Sequence, residues 1–126
     1  MDCYHAPQPM GPFTLSESKR ERAGKTVCVV SVAGELDAHT FRHLQERLEE
    51  LIAERERALV IDCARLDYVS SAGLQVLKRM VHDTRVGGGD IRLAGLSQKI
   101  HNIVNVLGFQ RIFQIFGSAE EAVASY

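Results

Sequence analysis

The sequence predicts an α/β fold in which a mixed, mostly parallel sheet of four to five strands packs against about four helices. The length of 126 residues suits one domain with a single hydrophobic core. Apolar residues make up 45% and charged residues 25%, a balance typical of a globular protein. Along the chain, the spacing of apolar residues changes repeatedly between that of a strand and that of a helix. Strands that alternate with helices form parallel sheets through right-handed crossovers.

Five segments have the composition of strands, namely 13–18, 26–32, 58–61, 91–93 and 112–116. The first two are joined by a tight turn over 23–25 and should therefore be antiparallel. The third is apolar without alternation, which predicts a central strand buried on both faces. Leu66 and Val69 are expected in the connection that follows this strand.

The helices are predicted by apolar residues that recur at steps of three and four. The first runs from Phe41 to about residue 54, with Asp37 just ahead of it as the expected N-cap. The second opens at the serine pair 70–71, and the glycines at 87–89 end it. Ser97 precedes the third helix, and a short fourth helix ends the chain.

Composition and charge exclude several classes of function. Fifteen basic residues against sixteen acidic ones give a net charge of −1, which disfavours a basic nucleic-acid binder. The apolar runs are far shorter than the roughly 20 residues that span a bilayer, so no membrane span is expected. The N-terminus lacks the pattern of a secretory signal, and the expected location is therefore the cytoplasm. Residues 1–12 hold all three prolines and predict a loose leader before a domain at 13–126.

The sequence lacks the usual motifs of catalysis and of cofactor or metal binding. It contains no GxGxxG, GxxxxGK[ST], GxSxG or HExxH pattern, so we expect no cofactor, no metal and no enzymatic activity. His39 and His43 are four residues apart, but a solvated helix face is favoured over a metal site. An alternative is an enzyme with Cys63 or Cys3 as nucleophile, which would require a histidine within hydrogen-bond reach.

One segment, residues 59–77, carries a more specific signal. A buried strand leads through a short loop to Ser70 and Ser71 at a helix start. Both serines are natural helix caps. A hydroxyl at this position is also well placed for phosphorylation, because it lies at the surface beside unpaired N–H groups and the positive end of the helix dipole.

The same segment resembles the signature of STAS domains, and specifically of bacterial anti-sigma factor antagonists. That signature is a buried strand, a loop and then [DS]-S-[SA]-G-L at the start of a helix, as in Ser-Ser-Ala-Gly-Leu at 70–74. The segment 34–37, Gly-Glu-Leu-Asp, matches the earlier G-x-L-D of the family. The resemblance covers about residues 13–124 and implies a single STAS-like domain.

The resemblance implies a partner-switching regulator of transcription in the stress response. An unphosphorylated antagonist binds an anti-sigma factor serine/threonine kinase and thereby releases a sigma factor. The kinase then phosphorylates the serine two positions before the glycine, here Ser71, and a serine phosphatase resets it. Ser70, which replaces a frequent aspartate, is the alternative acceptor. The implied partner-binding surface comprises Asp37, His39, Thr40, Ser70, Ala72 and Gly73.

The resemblance leaves other partners open. One alternative is a STAS accessory subunit of a lipid or anion transporter complex, which would bind the transporter's ATPase. No direct contact with nucleic acid is implied, and ATP would belong to the kinase. A weak homodimer is a further alternative to a monomer.

Overall fold

The computed structural model describes residues 13–126, which form a five-stranded sheet with helices on both faces. The strands are β1 (Thr14–Arg22), β2 (Lys25–Leu36), β3 (Ala58–Val69), β4 (Asp90–Ala94) and β5 (Ile115–Phe116). The helices are α1 (Phe41–Ala53), α2 (Ser71–Val86), α3 (Gln98–Val106) and α4 (Ala119–Ala124), with a 3-10 helix at Phe109–Arg111. The mixed, mostly parallel fold predicted from the sequence is confirmed. The predicted leader at 1–12 lies outside the described residues.

The strands lie in the sheet in chain order, from β1 to β5. β1 is antiparallel to β2, and the remaining neighbours are parallel. Ala23 and Gly24 form the turn between β1 and β2 with φ values of 53° and 81°. Two successive left-handed residues match the twist of a hairpin, which confirms the predicted antiparallel pair.

The sheet separates two apolar clusters. On one face, α1, α2 and α3 pack against β2, β3 and β4, and the α1 residues Phe41, Leu44, Leu48 and Leu51 are at most 2% exposed. On the other face, Ala122 and Val123 of α4 pack near Val60 of β3. Because β3 is covered on both sides, its first four residues are all buried. This explains the apolar run at 58–61.

β3 is longer than the sequence pattern predicts. Leu66 and Val69 were expected in a loop, but both lie in the strand, paired with Gly34 and Leu36 of β2. Two register shifts in the β2–β3 pair interrupt the regular alternation of apolar residues, which conceals the second half of the strand in the sequence. This extension carries β3 to the start of α2.

The last predicted strand, 112–116, is too long. Only Ile115 and Phe116 pair with β4, and the 3-10 helix precedes them. Phe113 is 4% exposed, and its ring meets the ring of Phe109 edge to face at 5.8 Å between centroids. Packing of these two rings in the core therefore holds this segment out of the sheet.

Candidate functional site

The candidate site lies where β2 and β3 end at the same edge of the sheet. The backbone N–H of Ser70 donates to the carbonyl oxygen of Leu36 at 2.9 Å. This bond fastens the start of α2 to the end of β2. Asp37 directly follows Leu36, so the two sequence motifs meet at this point although they are more than thirty residues apart.

Ser70 is the N-cap of α2. Its backbone is extended, and its hydroxyl oxygen accepts from the N–H of Gly73 at 3.0 Å. A Cβ atom at Gly73 would lie 3.3 Å from both the Leu36 carbonyl oxygen and the Ser70 hydroxyl oxygen. Gly73 is therefore buried beneath the site, and its small size lets α2 approach β2 closely.

Ser71 differs from Ser70 in both exposure and bonding. It is the first residue of α2 and is exposed, as is Ala72. Within residues 13–126, no hydrogen bond to the Ser71 hydroxyl is present, whereas the Ser70 hydroxyl is engaged in capping. The structure thus adds a difference in exposure and bonding between Ser71, the acceptor that the resemblance implies, and Ser70, the alternative.

A tight turn of residues 37–40 forms the second part of the site. One carboxylate oxygen of Asp37 accepts from the N–H groups of His39 and Thr40, both at 2.9 Å. The hydroxyl oxygen of Thr40 accepts in return from the N–H of Asp37 at 3.0 Å. The bonds that the carboxylate accepts, above all the one from the Thr40 N–H, lower the pKa of the Asp37 carboxyl. Asp37 therefore adds a fixed negative charge to this edge at neutral pH.

The bonds predicted for Asp37 are present, but they lie one turn before the assigned start of α1: its carboxylate accepts from the N–H groups of His39 and Thr40, and its carbonyl oxygen accepts from the N–H of Phe41. The helix begins at Phe41, and Thr40 occupies the N-cap position. Asp37 instead closes the preceding turn, because its carboxylate reaches N–H groups two and three residues ahead. Within this turn, His39 is exposed and Thr40 is half-buried.

The cysteines at 28 and 63 are buried. Burial raises the pKa of each thiol to about 12; for Cys28 the nearby Glu56 carboxylate adds to the effect. A thiol with so high a pKa has almost no thiolate at neutral pH and is a poor nucleophile. Cys3 lies outside the described residues.

A thiol-labelling experiment tests this conclusion. In a Cys3→Ser variant at pH 7, we expect Cys28 and Cys63 to react with Ellman's reagent only at the rate of unfolding. In guanidinium chloride, both should react at once. Rapid modification of either thiol in the native protein would show that the core is open there and would restore the nucleophile hypothesis.

The basic surface that continues from Ser71 along α2 was not predicted from the sequence. Lys78, His82 and Arg85 follow Ser71 by 7, 11 and 14 residues. Residues at these intervals lie on one face of a helix, so their spacing was the signal in the sequence that could have indicated a basic helix face. The contribution of Arg111 could not be found in this way, because the fold alone places it beside α2.

In the described part of the chain, no helix is both long and apolar enough to cross a bilayer.

A family model described as the STAS domain matches residues 19–122. The anti-sigma-B factor antagonist of Bacillus subtilis is 30% identical over 94 residues, which covers 75% of this chain and 85% of that protein.

Solved structures resemble this fold at lower sequence identity. The anti-sigma factor antagonist SpoIIAA in its unphosphorylated form has a TM-score of 0.64 and 23% identity, covering 90% of this chain and 94% of that one. The phosphorylated form of Bacillus SpoIIAA has a TM-score of 0.61 and 20% identity, covering 86% and 97%. The murine anion transporter Slc26a9 has a TM-score of 0.64 and 18% identity, covering 77% of this chain but 17% of the transporter.

Proposed function

Because this chain belongs to the STAS-domain family, we propose that it is an anti-sigma factor antagonist whose binding to a serine kinase is ended by phosphorylation of Ser71. The exposed Ser71 hydroxyl at the start of α2 carries the proposal. A relative that is 30% identical is named an anti-sigma-B factor antagonist, which supports the class of partner. In this scheme the unphosphorylated protein binds the anti-sigma factor, and the sigma factor is released.

The start of α2 suits a partner that approaches an uncharged helix end. Ser71 and Ala72 are small and exposed at the start of α2, so a partner can approach the helix end closely. The turn with Asp37, His39 and Thr40 extends the same edge of the sheet. When Ser71 carries no phosphate, a partner can cover it without removing water from a charged group at that position.

Phosphorylation of Ser71 raises the free-energy cost of covering the helix start. A phosphoserine carries about −1.5 to −2 charges at neutral pH. In the free protein, an anion at a helix N-terminus is stabilised by roughly 0.3–1 kcal/mol, so the fold should tolerate the group. Burying the same charge against a partner that lacks a matching cation costs several kcal/mol. Asp37, which follows the Leu36 bound by Ser70, adds a second negative charge to the same edge of the sheet.

This reasoning predicts that phosphate blocks the interface and leaves the fold intact. SpoIIAA supports that expectation, because its phosphorylated and unphosphorylated forms both resemble this fold with TM-scores above 0.6. Ser70 is the less favourable acceptor, since it is half-buried and its hydroxyl oxygen already accepts from the N–H of Gly73. A serine phosphatase would restore the binding form.

The experiment is to incubate the protein with ATP and each candidate anti-sigma factor kinase, and to measure the intact mass. We expect one added phosphate, which peptide mapping assigns to Ser71. A Ser71→Ala variant should gain none, whereas Ser70→Ala should still be phosphorylated. Phosphate on Ser70 alone, or the absence of phosphorylation by every kinase that binds the protein, would refute the proposal.

The fold likeness to an anion transporter supports one competing function, that of an accessory subunit of a transporter complex. In that case the protein should bind a transport ATPase. Substituting Ser71 with alanine or glutamate should then leave this binding unchanged, because no phosphate switch would be involved. A purified anti-sigma factor that binds wild type but not Ser71→Glu would exclude this alternative as the principal function.

A further inference from the structure

One face of α2 carries both Ser71 and a row of basic residues. Gln75, Lys78, His82 and Arg85 follow Ser71 at steps of four, three, four and three. Residues at this spacing lie along the same side of a helix. From Ser71 to Arg85 the row extends about 21 Å, at roughly 1.5 Å per residue. A partner that closes over Ser71 therefore meets the basic residues as well.

The basic residues line a groove between α2 and the 3-10 helix. Its volume is about 470 Å³, and its lining consists of Lys78, Arg79, His82, Arg85, Arg111 and Ile112. We call this the basic groove. Its lining contains four permanent cations and no carboxylate, although the whole chain has a net charge of −1. Near-neutral composition thus conceals a local region of positive charge.

Most of this charge is not neutralised from within the fold. Arg85 forms an ion pair with Asp90 at 2.7 Å. The Lys78 ammonium lies 5.3 Å from the centre of the Phe109 ring. Among residues 13–126, no carboxylate pairs with Arg79 or Arg111, and both side chains are exposed. The single acidic residue of α2, Asp83, lines a neighbouring groove against α1 together with Glu49, and Arg79 borders both grooves.

A second basic cleft, at the end of the sheet opposite Ser71, has a different balance of charges. It is larger, at about 610 Å³, and holds Lys25 and three arginines, but also Glu56 and Asp90. Asp90 is engaged by two arginines, and Glu56 lies 3.3 Å from the Lys19 ammonium. Carboxylates of the protein itself thus oppose part of this charge. In the basic groove Asp90 opposes Arg85, but Arg79 and Arg111 have no carboxylate partner among residues 13–126, and the groove lies on the helix that presents Ser71.

We propose that the basic groove binds an acidic segment of the anti-sigma factor whose kinase site closes over Ser71. The identity of the partner rests on the proposed function, whereas the affinity of the groove for carboxylates does not. The shared helix face favours a protein over a nucleic acid, because one partner then contacts both the groove and Ser71. Complementary charge across an interface mainly increases the rate of association and selects the partner.

The arrangement also gives phosphorylation a longer-range effect. A phosphate on Ser71 would lie at one end of the same face and would offset part of its positive charge. An acidic partner would then be attracted less strongly before contact, in addition to being repelled at contact. The groove therefore increases the difference in association rate between the two states of Ser71.

The test compares two double charge reversals. In the groove variant, Arg79 and Arg111 are replaced by glutamate; in the control variant, Arg22 and Lys25 at the opposite end of the sheet are replaced in the same way. All four side chains are exposed, and the net charge changes equally. With the kinase that phosphorylates Ser71, at low salt, we expect the groove variant to associate at least tenfold more slowly and the control to match wild type. Equal rates for the two variants would overturn the proposal.

A second arm does not depend on the kinase. A peptide of ten glutamates is titrated into the full-length protein while backbone amide signals are followed by NMR. We expect shifts at 78–86 and 109–112 in wild type and in the control variant, and their loss in the groove variant. Shifts spread over the whole surface, or tighter binding of a DNA duplex than of the peptide, would refute the proposal that the basic groove binds an acidic protein segment. If no kinase phosphorylates Ser71 but the peptide binds as expected, the proposed function is refuted, whereas the affinity of the basic groove for carboxylates is confirmed.

Discussion

A Ser71→Glu variant is expected to bind the anti-sigma factor kinase at least a hundredfold more weakly than wild type. A penalty of about 3 kcal/mol for burying an unmatched charge corresponds to this change in affinity. The variant should keep the fold, since a carboxylate in the first turn of a helix is slightly stabilising. Dissociation constants from calorimetry, with circular dichroism as the check on folding, measure both effects.

Two variants serve as controls for this prediction. Ser71→Ala should bind like wild type and should remain bound when ATP is added, because it cannot be phosphorylated. Gln75→Glu places a new carboxylate one turn further along the same face of α2, and we expect a smaller loss of affinity there. If a folded Ser71→Glu protein bound as tightly as wild type, the proposed mechanism would be refuted.

Replacing Leu74 with alanine is expected to lower the free energy of unfolding by about 2–5 kcal/mol. Leu74 is 2% exposed and belongs to the cluster that joins α2 to the sheet. It directly follows Gly73, so the cavity would open beneath the helix turn that carries Ser71. Guanidinium chloride unfolding, followed by far-UV circular dichroism, measures the change.

Conservative and surface substitutions give the comparison. Leu74→Met keeps most of the buried volume and should cost less than about 1.5 kcal/mol. Gln75→Ala, at the neighbouring exposed position, should change stability by no more than about 0.5 kcal/mol. A Leu74→Ala protein as stable as Gln75→Ala would mean that the first turn of α2 does not depend on the core for its position.

The local pattern of apolar residues predicted an element correctly where the burial of one face, or of both faces, decides its conformation. The apolar stripe from Phe41 to Leu51 predicted α1, and the unbroken apolar run at 58–61 predicted a strand covered on both faces. Such patterns failed where contacts distant in sequence decide the conformation. The second half of β3 depends on a shifted register with β2, and the 3-10 helix depends on the burial of Phe109 and Phe113 in the core formed by α2, α3 and the sheet.

The sequence alone determined the α/β fold, the serine pair at the start of α2 and the resemblance on which the proposed function rests. These features depend on residue type and on spacing within single elements. The difference between Ser70 and Ser71 was decided by the tertiary structure. The N–H of Ser70 is bound to the carbonyl oxygen of Leu36, and its hydroxyl oxygen accepts from the N–H of Gly73, so the Ser71 hydroxyl is the one that remains free. The basic groove was decided in the same way, since Arg111 reaches α2 through the fold and a charge count over the sequence carries no information about distance.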